Sequence, residues 1–67
     1  MFKVGQKIRI TQDYKKFKAN KFSWNSDMLK YMGNIDYITE IDRERGIIYL
    51  KNIPYHWDNN TLEQVLF

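Results

Sequence analysis

The chain has 67 residues, which is short for more than one domain and for the deep cleft of a large enzyme. It contains no cysteine, so disulfides and cysteine-based metal sites are excluded as sources of stability. The net charge is +3 and aromatic residues make up 16% of the chain, which predicts a basic single domain over residues 1–67 with a core of packed rings.

The positive charge is concentrated in the first third of the chain. Residues 1–21 carry seven basic side chains and one acidic one, whereas residues 22–67 carry four basic and seven acidic side chains. This asymmetry is typical of a face that attracts a polyanion or an acidic protein. Lysines that only keep a small apolar protein in solution would produce the same composition.

The hydropathy of the chain bears on its compartment. The amino terminus lacks the apolar run of a signal peptide, and no stretch of about 18 apolar residues is present. We therefore expect a soluble, cytoplasmic protein that has no membrane partner.

The first elements differ in how regular their patterns are. Residues 7–11 alternate between polar and apolar types, which predicts a strand with Ile8 and Ile10 on one face. Residues 12–22 follow neither a strand nor a helix period, so we predict a long basic loop that its aromatic side chains attach to the core.

A short helical turn is predicted after Trp24. Ser26 or Asn25 is placed to cap it, and Met28 and Met32 have helical spacing that indicates core positions. Gly33 is placed to adopt the left-handed conformation that ends such a turn.

A hairpin is predicted next. Residues 34–42 form a strand that needs a bend near Tyr37 and Ile38 to avoid exposing apolar side chains. Residues 43–46 form a charged loop that ends in glycine, and residues 46–50 return as the partner strand.

The last quarter of the chain contains two further short strands. Pro54 marks a turn, residues 55–57 form a strand, and residues 64–67 close the chain. Between them we predict a helical turn with Asn60 as its cap and Glu63 three residues later. The predicted fold class is all-β, a five-stranded SH3-like barrel with short helical turns after Trp24 and near Asn60.

Glycine, aromatic and aliphatic residues recur at set spacings outside residues 12–23: Phe2-x-Val4-Gly5-x-x-Ile8-x-Ile10, Trp24-x-x-x-Met28-x-x-x-Met32-Gly33, Ile38-x-x-Ile41-Asp42, Tyr49-Leu50 and Trp57-x-x-x-x-Leu62. This pattern resembles the Mind-bomb SH3 repeat family, of which small stand-alone versions occur in bacteria and their phages. In the eukaryotic ligases such repeats bind peptide segments of client proteins. The resemblance implies an SH3-like fold and a recognition module, and with one repeat and no ligase domain it implies no role in ubiquitin transfer.

The side-chain inventory argues against catalysis. His56 is the only histidine, and the carboxylates are scattered over predicted turns and strand faces. Acid–base and metal chemistry need converging groups, so we expect no enzyme, no metal and no cofactor.

Lysines interleaved with aromatic residues are the strongest functional signal. We expect Trp57 to lie in the core, and we consider both a core and a groove position for Trp24. The predicted partner-binding residues are Tyr14, Lys15, Lys16, Phe17, Lys18, Lys21, Trp24 and Tyr55.

Two ligand classes fit this set of residues. An acidic protein or peptide would be attracted by the lysines and held by the rings, which predicts an adaptor module. Nucleic acid would place phosphates on the lysines and bases on the rings, without sequence specificity because arginine is scarce there. A third interpretation is a structural subunit that pairs through an exposed edge strand.

Overall fold

The computed structural model describes residues 2–18 and 26–65. These residues form β1 (Lys7–Ile10), a short helix α1 (Tyr14–Lys18), a first 3-10 helix (Ser26–Tyr31), β2 (Ile35–Asp42), β3 (Ile47–Leu50), a second 3-10 helix (Asn59–Thr61) and β4 (Leu62–Gln64).

The strands form an antiparallel sheet in the order β3-β2-β1-β4. This confirms the mainly β prediction, but the described residues form four strands and not the predicted five. The strand predicted at residues 55–57 is reduced to one bridge between Trp57 and Ile48, because Tyr55 has a φ of 80° and so leaves the extended conformation. The last described strand, β4, begins two residues before the predicted strand 64–67 and shares Gln64 with it, and Leu66 and Phe67 of that prediction lie outside the described residues.

β1 lies in the interior of the sheet between β2 and β4. Ile8 and Ile10 are fully buried and Arg9 between them is exposed, as the alternation predicts. Ile8 lies opposite Asp36 of β2 and Arg9 lies opposite Ile35. Directly opposed residues share a face. Asp36 therefore lies on the core side of β2 with Ile8, and Ile35 lies on the outer side with Arg9.

β2 contains the predicted irregularity. The register with β3 shifts between Ile38 and Glu40, so that Ile38 lies opposite Leu50 and Ile41 lies opposite Ile48. One extra residue in the strand reverses the parity of the positions after it. Ile38 and Ile41 therefore both contact the core, although three positions separate them.

The core beneath the sheet is closed by large side chains from outside it. Trp57 and Met28 are fully buried, which confirms both core predictions, and Met32 packs against the same cluster while partly exposed. The indole Nε1 of Trp57 donates to the carbonyl of Pro54 at 3.0 Å, so the ring is buried without an unsatisfied donor.

The turn before β2 ends as predicted, although it is a 3-10 helix. Gly33 has a φ of 81°, and its N–H donates to the carbonyl of Ile10 at 2.8 Å. A Cβ at this position would lie 2.9 Å from Nε2 of Gln12. The left-handed conformation therefore favours glycine here, and a Cβ would in addition displace the end of the flexible Gln12 side chain.

A buried carboxylate holds the turn after β3 against β2. Asp36 is only 1% exposed, and its Oδ2 accepts from the backbone N–H groups of Asn52 and Ile53, both at 2.8 Å. Its Oδ1 accepts from Asn52 Nδ2 at 3.1 Å and from the N–H of Tyr37 at 2.8 Å. We call Asp36, Tyr37, Asn52 and Ile53 the Asp36 junction, in which four donors satisfy one carboxylate.

Candidate functional site

α1 replaces part of the loop that was predicted for residues 12–22. Oδ1 of Asp13 accepts from the N–H of Lys15 at 3.0 Å, and the carbonyl of Asp13 accepts from the N–H of Phe17 at 2.9 Å. Asp13 thus caps the helix, and its own N–H donates to Oγ1 of the buried Thr11 at 3.0 Å. The prediction of a continuous loop was wrong, because a five-residue helix with one buried side chain shows no periodicity.

Phe17 anchors α1 to the core. Its side chain is fully buried, and its ring meets Trp57 edge to face with 5.8 Å between centroids. The sequence places Phe17 among the partner-binding residues, but a buried ring has no face to offer a partner. That assignment was wrong for Phe17, which is a core residue that orients α1.

The other side of α1 is a basic surface. The side chains of Tyr14, Lys15, Lys16 and Lys18 are exposed, with Tyr14 at 48%, and we call these four residues the basic surface. Lys18 Nζ lies 5.8 Å from the centroid of the Tyr14 ring, one helical turn away. Within residues 2–18 and 26–65 no ion pair engages these three lysines.

A groove runs beside the basic surface. Its volume is about 390 Å³, and it is lined by Lys15, Lys16, Asn59, Asn60, Leu62 and Glu63. We call it the α1 groove. Cationic and amide donors along its walls make it suitable for carboxylate or phosphate oxygens.

The amide wall of the α1 groove is held by the second 3-10 helix. Oδ1 of Asp58 accepts from the N–H groups of Asn60 and Thr61 at 3.0 and 3.2 Å, and Thr61 completes a capping box with Asp58. The predicted cap, Asn60, and its predicted partner Glu63 were therefore wrong. Asn60 is instead an exposed residue of the helix.

Glu63 lines the α1 groove, and its carboxylate already has hydrogen-bond partners. Arg9 donates from Nε and Nη2 to Oε1 at 3.0 and 2.9 Å, and Thr11 donates to Oε2 at 3.2 Å. Both oxygens therefore have partners in or next to β1. Within the described part of the chain, Lys15 and Lys16 form no ion pair with Glu63 or with another carboxylate.

The remaining predicted site residues are not brought into the α1 groove. Tyr55 is half-buried in the left-handed region, and its ring meets Tyr31 at 6.1 Å between centroids. Lys21 and Trp24 lie outside the described residues.

Sequence reasoning missed two exposed apolar side chains on the outer face of β2. Ile35 is 53% exposed and Tyr37 is 45% exposed, and they lie opposite Arg9 and Lys7 of β1. The apolar positions 35, 37 and 38 indicated that a regular strand would expose an apolar side chain. Which side chains are exposed depends on the register of β2 with β1. Asn59, which lines the α1 groove, was also not predicted, because only its polar side chain marks it in the sequence.

The described residues contain no helix long and apolar enough to cross a membrane. In the same part of the chain no three His, Asp or Glu side chains are grouped closely enough to hold a metal ion. Compared with protein families, with curated proteins and with solved structures, the chain shows no significant match. The resemblance to Mind-bomb SH3 repeats stays a prediction.

Proposed function

We propose that the protein is a small, non-catalytic adaptor module that binds an acidic protein or peptide through the basic surface and the α1 groove. We further propose that its sheet is the open form of an SH3-like barrel of the Mind-bomb repeat type. The observation that carries the functional proposal is a set of exposed lysines, unpaired among the described residues, on a helix that the buried Phe17 attaches to the core.

The anchoring of α1 supports a built binding surface over a solubilising one. The Asp13 cap and the buried Phe17 ring orient the helix, so Lys15 and Lys16 present their charges beside one groove. Binding costs less conformational entropy when the helix that carries the lysines is already held in place. A cluster of positively charged lysines also raises the rate at which an acidic partner associates.

The exposed rings favour a peptide over nucleic acid. Sequence-tolerant binding of single strands relies on successive rings that stack on bases. With Phe17 buried, Tyr14 is the aromatic side chain that the described basic surface retains. One ring beside three lysines matches a carboxylate-rich peptide better than a stacked strand.

Selection from a random peptide library, with peptides of about 12 residues, tests the proposal. We expect the protein to enrich peptides rich in Asp and Glu, and Lys16→Glu with Lys18→Glu to reduce affinity for them at least tenfold. The matched control is Lys30→Glu with Lys51→Glu, which changes the net charge equally at exposed positions outside the groove. It should bind within twofold of wild type.

Two outcomes would overturn the proposal. One is acidic peptides that bind both double variants equally well. The other is stronger binding to a random-sequence oligonucleotide, with a log–log salt dependence that corresponds to about three or more phosphate contacts. That second result would make nucleic acid the ligand.

A further inference from the structure

β4 is an edge strand of the sheet that the described residues form. It pairs with β1 through Ile8–Gln64, Arg9–Glu63 and Ile10–Leu62, and it is the last strand in the sheet order. An edge strand presents backbone groups that can pair with another extended chain.

The register identifies which backbone groups of β4 face outward. The N–H of Thr11 donates to the carbonyl of Thr61 at 2.9 Å, directly before the strand begins. Hydrogen-bonded and non-hydrogen-bonded pairs alternate in an antiparallel ladder, so Glu63 directs its N–H and C=O toward β1. Leu62 and Gln64 then direct theirs away from β1.

The N–H of Ile10 independently supports this alternation. Ile10 pairs with Leu62, yet its N–H donates to the carbonyl of Asn34 on the β2 side at 2.9 Å. Leu62 is also the C-cap of the second 3-10 helix, and only 5% of it is exposed. Among the described residues, the outer edge of β4 therefore offers the N–H and C=O of the exposed Gln64.

Concave surfaces flank both ends of this edge. The α1 groove meets β4 at Leu62 and Glu63 and brings Lys15 and Lys16 beside it. A second depression of about 430 Å³ meets β4 at Gln64 and is lined by Lys3, Val4, Gly5 and Gln6. Lysine side chains thus lie near both ends of the edge. The side chain of Val4, which is 62% exposed, adds an apolar surface beside Gln64.

We propose that β4 binds an extended acidic peptide by strand addition. The peptide backbone pairs with the N–H and C=O of Gln64, while its carboxylates reach the lysines at the two ends. This inference rests on the proposed function and specifies the conformation and register of the partner.

Charge disfavours a second copy of the chain as the occupant. Two β4 edges pairing antiparallel would place the Leu62 end of one copy beside the Gln64 end of the other. Lys15 and Lys16 of one copy would then approach Lys3 of the other, and like charges would meet at both ends. An acidic peptide meets the same lysines with opposite charge.

The test compares Gln64→Pro with Gln64→Ala, using a fluorescein-labelled peptide of alternating Glu and Val, about 12 residues long, in fluorescence anisotropy. Proline removes the N–H on the free edge, which edge strands tolerate, whereas alanine keeps it. We expect Gln64→Pro to weaken binding at least tenfold and Gln64→Ala to stay within twofold of wild type. Both variants should melt within a few degrees of wild type.

Amide exchange measured on the wild-type complex provides a second readout that needs no variant. Peptide addition should slow exchange of the Gln64 N–H at least tenfold and leave the Glu63 N–H, already directed at β1, unchanged. Equal peptide binding by Gln64→Pro, with no added protection at Gln64, would overturn strand addition and leave the proposed function standing. No peptide binding by wild type would overturn both, and a dimer that Gln64→Pro dissociates would identify a second copy as the occupant.

Discussion

Asp36 and the lysines of the basic surface show two different uses of charge in one small domain. Asp36 is buried and accepts four hydrogen bonds from neighbouring donors. Lys15, Lys16 and Lys18 are exposed, and among the described residues they form no ion pair. A charge whose hydrogen bonds are all internal stabilises the fold, whereas exposed charges that the fold leaves unpaired are available to a partner.

The largest expected effect comes from breaking the Asp36 junction. Asp36→Ala leaves the buried N–H of Ile53 and that of Asn52 without an acceptor, so we expect a loss of about 4 kcal/mol or more in the free energy of unfolding. Chemical denaturation measures this, with Glu44→Ala in the exposed β2–β3 turn as the control.

If Asp36→Ala does not fold, Asp36→Asn provides the comparison, because it retains one acceptor oxygen and should lose less. An Asp36→Ala variant within about 1 kcal/mol of wild type would contradict a structural role for the junction.

The second effect concerns the link between the core and the basic surface. Phe17→Ala removes a fully buried ring that contacts Trp57, so we expect a loss of about 3 kcal/mol. Phe17→Leu fills most of the same volume and should lose about 1 kcal/mol while keeping acidic-peptide binding. If Phe17→Ala is as stable as wild type but loses peptide binding, the ring belongs to the binding surface after all.

The smallest effect on stability is expected at the basic surface itself. Lys16→Ala with Lys18→Ala should change the free energy of unfolding by no more than about 0.5 kcal/mol, because exposed side chains that form no ion pair contribute little. Denaturation and peptide binding measured on the same sample separate the two roles. Destabilisation above about 1 kcal/mol would show that these lysines serve the fold.

Local signals in the sequence predicted much of the sheet. The alternation around Ile8 and Ile10, the stop at Gly33 and the irregularity after Tyr37 are each visible within a few residues. The candidate site was predicted in part, since the lysines of α1 stand out by composition alone. Phe17 was assigned wrongly because an aromatic residue among lysines gives the same sequence pattern whether its ring faces solvent or the core.

The features that the sequence determined by itself are therefore local: strand and turn preferences, the glycine positions and the concentration of lysines in the first third. Tertiary structure alone decided that Phe17 enters the core, that Asp36 receives the turn after β3, and that Gln64 turns its backbone outward. The reason is physical. Periodicity depends on neighbours in the chain, whereas burial and register depend on contacts between residues tens of positions apart.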